Sequence, residues 1–213
     1  MKHIIWDFNG TLLADVQLSV DADNYVFDQL GLPRITVDDY RSHMTMPVRD
    51  FYAALGIDLS VYTYETIGRL WLGMFNAHAV EVGLVPGALD AVKRFSRAGH
   101  TQSVLSASYE PSLLSQCQAL GLLPYMRAVN GQSDESAGRK TAIGRRQLEA
   151  LGIEGGDAVL VGDMLADAEL ARELGTSCVL VPWGHNDLGR LNGAGCPVAH
   201  SFEELGEIVA SLG

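Results

Sequence analysis

The chain has 213 residues, 47% hydrophobic and 19% charged, which is enough apolar material for one large domain or a core with an insertion and too little charge for a disordered polypeptide. With 15 basic against 26 acidic residues the formal net charge is −11, which repels nucleic-acid phosphates and anionic lipid and excludes both as partners. Cys117, Cys178 and Cys196 are widely spaced and form no CxxC pair, a pattern that points to a reducing compartment and away from structural zinc.

In chain order, residues 4–8 form an apolar run expected to be a strand buried on both faces. The N-terminal apolar run is too short for a signal peptide, and no later run is long enough to cross a bilayer, so a soluble cytoplasmic protein is expected. Residues 15–83 then show helical patterns and no convincing strand. Phe27 and Leu30 belong to a first helix, and Thr36 caps a second that runs to about His43. Pro47 suits the first turn of a third, ending near Leu55 and Gly56. Ser60 caps a fourth, in which Tyr64, Ile67, Trp71, Met74 and Phe75 make an apolar stripe expected to be core.

Strand–helix alternation follows. Pro86-Gly87 opens a helix that stops at Gly99, residues 103–106 read as a strand, and a helix from about Pro111 stops at Gly121. A helix over about 141–151, a strand over 158–161, a helix over 166–174 and a strand over 178–181 complete the pattern. This alternation predicts an α/β fold: a doubly wound, mainly parallel (Rossmann-like) sheet core from residues 1–14 and 84–213, with a small helical bundle inserted at 15–83. Such sheets bind ligands at the carboxyl ends of their strands.

Candidate chemistry falls at those ends. Asp7-Phe8-Asn9-Gly10-Thr11-Leu12 leaves the first strand, and the amides of Asn9 and Gly10 are placed to point at an anion. Ser106-Ala107-Ser108 ends the second strand, where a hydroxyl and the next N–H suit a phosphate oxygen. Lys140, one of only three lysines against 12 arginines, opens a helix after a polar loop containing Gly138 and Arg139. Asp163 leaves the strand over 158–161 and Asp167 follows four residues later, so both carboxylates can turn toward one hard divalent cation.

Together and in this order, these stretches resemble the haloacid dehalogenase superfamily of aspartate-nucleophile phosphohydrolases. The resemblance covers essentially the whole chain, and the helical insertion is similar to the first-type cap of phosphoglycolate phosphatases and β-phosphoglucomutases. It implies that Asp7 attacks phosphorus to form an aspartyl-phosphate, while Ser106, Ala107, Gly10 and Lys140 hold the phosphoryl oxygens. It also implies Mg2+ held by Asp7, the Asn9 carbonyl and Asp163, with Asp167 ligating or orienting, and a small phosphorylated metabolite as substrate. In the cap, Arg49 is a candidate for a second anionic group of the substrate. The cap, residues 15–83, contains no lysine, which excludes the Schiff-base phosphonatases of the superfamily.

Asn9 departs from the pattern. Family phosphatases carry Asp there as general acid and base, a contribution worth about 10²–10⁴-fold. Three accounts fit the departure. The substrate has a good leaving group (acyl, aryl or anhydride phosphate) that needs no proton; or another group, with His43 as the candidate, supplies the proton; or the protein is a catalytically impaired phosphate-binding or regulatory protein on the same scaffold. The first and third lead to the expectation that Asn9→Asp raises alkyl-phosphate turnover at least about tenfold.

Overall fold

The computed structural model describes residues 1–133 and 140–212. Its strands are β1 (His3–Trp6), β2 (Thr101–Tyr109), β3 (Ala128–Gln132), β4 (Ala158–Gly162) and β5 (Ser177–Leu180), all parallel, in the order β3-β2-β1-β4-β5. Its helices are α1 (Val16–Leu30), α2 (Val37–His43), α3 (Val48–Ala54), α4 (Tyr64–His78), α5 (Ala88–Arg97), α6 (Glu110–Ala119), α7 (Lys140–Leu151), α8 (Leu165–Leu174), α9 (Leu188–Leu191) and α10 (Phe202–Ser211).

The sheet is apolar on both faces because its strands alternate between two cores. Ile4 and Trp6, Val104, and Val159 and Val161 pack on one face with Phe95 of α5, Leu113 of α6 and Leu205 of α10. Their neighbours Ile5, Leu105, Ala158 and Leu160 point the other way, onto Ile143 and Leu148 of α7 and Leu170 and Leu174 of α8. Covered on both sides, β1 and β4 have no solvent-facing side, which is why residues 4–6 and 158–161 read as unbroken apolar runs.

Helices α1 to α4 lie between β1 and α5 in the chain and gather around a cluster of their own, in which Val20, Phe27, Tyr40, Phe51, Tyr52 and Ile67 are buried. α1 stops at Gly31, whose left-handed φ of 68° suits a residue without a Cβ. Thr36 caps α2 as expected: its Oγ1 accepts the Asp39 N–H at 3.1 Å, and Asp39 Oδ2 accepts the Thr36 N–H at 2.9 Å.

Some expectations need correction. α4 is capped by Thr63, whose Oγ1 accepts the Thr66 N–H at 3.3 Å, whereas Ser60 is held in a local turn by Asp58. Pro47 sits at the cap position of α3, one residue before its first turn. In the α4 stripe, Ile67 and Phe75 are buried but Tyr64 is 44% exposed. β3, α9 and α10 were not anticipated at all.

Candidate active site

Asp7 is delivered by the β1–β4 ladder: its N–H still bonds the Val161 carbonyl, at 2.8 Å, one residue beyond β1. The Phe8 N–H then turns back onto Asp7 Oδ1, also at 2.8 Å. Asp163 leaves the neighbouring strand β4, and Asp167 lies in the first turn of α8, where its Oδ2 accepts the N–H groups of Asp163 and Met164 at 3.1 Å. Lys140, the first residue of α7, places Nζ 2.9 Å from both Asp7 Oδ1 and Asp167 Oδ1. Gly138 and Arg139 of the preceding loop lie outside the described residues.

Asp7, Asp163 and Asp167 each offer one oxygen, and these oxygens lie within 4.8 Å of one another. Three buried carboxylates thus share this place, and among the described residues Lys140 is the ammonium paired with two of them, Asp7 and Asp167. Burial, together with the neighbouring Asp167 and Asp163 charges, pushes Asp7 up to about 7 against the pull of Lys140. Burial likewise pushes Asp163 up to about 6. For Lys140 burial works against the charge, but Asp167 and Asp7 overcome it and hold the ammonium above its ordinary value. An all-oxygen donor set with surplus negative charge fits a hard divalent cation such as Mg2+.

Asp163 is itself positioned by two donors, Thr11 Oγ1 at 2.7 Å and the His185 N–H at 2.6 Å. A Cβ at Gly10 or at Gly184 would overlap the Asp163 carboxylate, and Gly10 also has φ +70°, so both positions demand glycine. Ser106 does not end its strand, since β2 runs on to Tyr109. It lies where the β2–β3 register breaks, between Leu105 and Tyr109, with Ala107 exposed beside it. The hydroxyls of Ser106 and Ser108 reach Asn9 Oδ1 at 3.4 and 2.8 Å.

Sequence reasoning missed a second group. Asp15 Oδ1 accepts the Gly10 N–H and its Oδ2 accepts Asn9 Nδ2, both at 2.7 Å. The Gly10 amide expected to face an external anion is therefore given to the chain's own carboxylate. His185, in the turn after β5, places Nε2 3.5 Å from Asp15 Oδ1, and Tyr40 of α2 reaches its Nδ1 at 3.0 Å. Burial alone would depress His185, but Asp15 and Asp163 push it up to about 9. Burial also opposes charge on Asp15, yet His185 and the Asn9 and Gly10 donors hold it below the usual carboxylate value. The signal in the sequence was a polar turn, Gly184-His185-Asn186-Asp187, at another strand end.

The cap reaches the core through Tyr40 and Arg41. Arg41 donates to the carbonyls of Gly184 (2.8 Å) and Trp183 (2.7 Å), and Asn186 Nδ2 returns a bond to the Met44 carbonyl at 2.7 Å. His43 is exposed, with Nδ1 2.8 Å from the Asp39 carbonyl, and Arg49 is exposed on α3. Among the described residues, neither forms a hydrogen bond or ion pair with the Asp7 cluster.

The chain is similar to several known proteins. A "Phosphoglycolate phosphatase" of Mesorhizobium japonicum is 27% identical over 86% of this chain and 84% of its own length. A protein of the same name from Caulobacter vibrioides is 27% identical over 98% of this chain and 91% of its own. Among solved structures, a haloacid dehalogenase-like hydrolase of Streptococcus pneumoniae has the same fold, with a TM-score of 0.84, 20% identity and coverage of 100% and 99% of the two chains. A HAD family hydrolase of Deinococcus radiodurans, solved with bound phosphate and sodium, gives a TM-score of 0.77 at 18% identity over 100% of this chain and 96% of that one. The model of the haloacid dehalogenase-like hydrolases matches residues 4–181, and the chain belongs to that family.

Proposed function

We propose that the protein is a Mg2+-dependent phosphohydrolase that cleaves a small phosphorylated metabolite through a phosphoryl group carried on Asp7. The observation that carries this reading is the meeting of Asp7, Asp163, Asp167 and Lys140, from two strand ends and two helix starts, within a single charged cluster. The names of the curated relatives make 2-phosphoglycolate the first substrate to test.

Asp7 Oδ1 is held by the Phe8 N–H and by Lys140, which leaves Oδ2 as the oxygen aimed at phosphorus. Attack forms the Asp7–phosphorus bond, and the leaving oxygen departs with its electron pair. Water then attacks the same phosphorus, inorganic phosphate leaves, and the Asp7 carboxylate is regenerated. Lys140 and the Ser106 hydroxyl hold the phosphoryl oxygens as charge grows on them. Asp7, Asp163 and the Asn9 carbonyl would hold Mg2+, with Asp167 ligating or orienting; when bound, the ion offsets repulsion between carboxylate and phosphate. Asn9 cannot exchange a proton near neutral pH, so leaving groups that depart unprotonated are favoured.

The test is hydrolysis of 2-phosphoglycolate, an aryl phosphate and an acyl phosphate, each with Mg2+ and with EDTA. Turnover that requires Mg2+ and falls at least about 10³-fold in Asp7→Asn is expected. Phosphate binding with no turnover of any substrate would instead favour a regulatory phosphate-binding protein.

A further inference from the structure

Building on the phosphatase reading, we propose that Asp15 is a positioning residue that makes an amide at position 9 obligatory. This loop carries its carboxylate at position 15 and its amide at position 9, and the two side chains work as one unit. Asp15 is 1% exposed, and its carboxylate is ringed by donors: Asn9 Nδ2 and the Gly10 N–H at 2.7 Å, and His185 Nε2 at 3.5 Å.

Only the NH2 end of an asparagine side chain can donate, so Asp15 decides which way the Asn9 amide points. Oδ1 is thereby turned to the hydroxyls of Ser108 and Ser106, at 2.8 and 3.4 Å. The orientation is held at both ends.

A carboxylate placed at position 9 has no hydrogen to offer Asp15. Two acceptor oxygens would meet at the 2.7 Å separation now spanned by an N–H···O bond, one of them on the buried Asp15. The new side chain must swing off the serine hydroxyls or spread the loop, and either movement takes it from the place where a general acid is needed. Restoring the family's acid by Asn9→Asp alone therefore fails. Exchanging both residues keeps the pattern. An amide at position 15 accepts the Gly10 N–H through its oxygen and donates through its NH2 to the carboxylate at position 9, which still accepts from the serines. His185 loses one charged neighbour and keeps Asp163.

The experiment compares wild type, Asn9→Asp, Asp15→Asn and the double exchange, all with Mg2+, by thermal melting and by the ratio of alkyl-phosphate to aryl-phosphate turnover. Asn9→Asp is expected to lower Tm by at least about 5 °C, and the double exchange to regain at least half of that loss. The turnover ratio, a measure of leaving-group protonation that a merely structural role would not move, is expected to rise at least about tenfold in the double exchange and less than about threefold in Asn9→Asp. A tenfold rise in Asn9→Asp alone, equal melting of Asn9→Asp and wild type, or a folded double exchange with an unchanged ratio would each overturn the proposal. If wild type hydrolyses neither ester, the phosphatase reading fails, and the melting comparison still decides whether the two side chains are coupled.

Discussion

Two buried charge clusters meet at Asp163, which belongs to the first and accepts the His185 N–H of the second, and they are built from similar parts. One gathers Asp7, Asp163 and Asp167, with Lys140 paired to Asp7 and Asp167; the other sets Asp15 beside His185 and Tyr40. In the first, among the described residues, carboxylates outnumber the cation, and burial raises two of them because their negative charge is poorly offset until a cation arrives. In the second, amide, backbone and imidazole donors satisfy the carboxylate, and Tyr40 comes from the cap. A surplus of charge marks the place for chemistry, and a balance of charge marks a joint.

The largest effect expected from breaking this contrast is at Lys140. Lys140→Met removes the cation that, among the described residues, pairs with the first cluster, and should lower kcat by about 10²–10³-fold, measured with saturating Mg2+ and an aryl phosphate. Next is Asp15→Ala, which leaves His185 buried without its carboxylate; it should cost about 3–5 kcal/mol in urea unfolding.

A third test lies outside both clusters. Burial, helped by Arg127, pushes His3 down to about 4 from an ordinary value near 6.5. The folded state therefore binds fewer protons than the unfolded chain between those values. His3 contributes stability that is full above about 6.5 and is lost as pH falls toward 4, an effect of up to about 3 kcal/mol. Melting from pH 7 to pH 4 should show the decline, and His3→Gln, which retains donors and acceptors for Thr101 and Ser103, should flatten it.

The smallest effects are expected in the cap. His43→Ala and Arg49→Ala should each change stability by less than about 0.5 kcal/mol, since both side chains are exposed. A large loss of turnover in His43→Ala would bring that residue back as the proton source, and a large rise of KM in Arg49→Ala would restore it as a substrate contact.

What was legible in the sequence follows the range of the forces involved. β1 and β4 stood out because strands covered on both faces are apolar throughout, and Asp7 and Asp163 stood out because each ends such a run. β3 was missed because an edge strand reading Ala-Val-Asn-Gly-Gln has little apolar content. Its Gly131 is there because a Cβ would meet the Ser108 carbonyl, a constraint invisible without the partner strand. α10 was readable and overlooked: Ser201 and Glu204 have the spacing of a capping pair, and the Ser201 hydroxyl accepts the Glu204 N–H at 3.1 Å. The Asp15–His185–Tyr40 joint was not readable, because His185 lies far along the chain from both of its partners. Asp15, read alone, marks only the start of a helix.

The central claim is that the phosphoryl group passes through Asp7. Acid quenching during turnover of an acyl or aryl phosphate, followed by peptide mass spectrometry, tests it most directly. A phosphoryl adduct on the peptide containing Asp7, absent from Asp7→Asn, is the predicted result. Undiminished hydrolysis by Asp7→Asn, or steady turnover in which the adduct forms on a different residue, would contradict it.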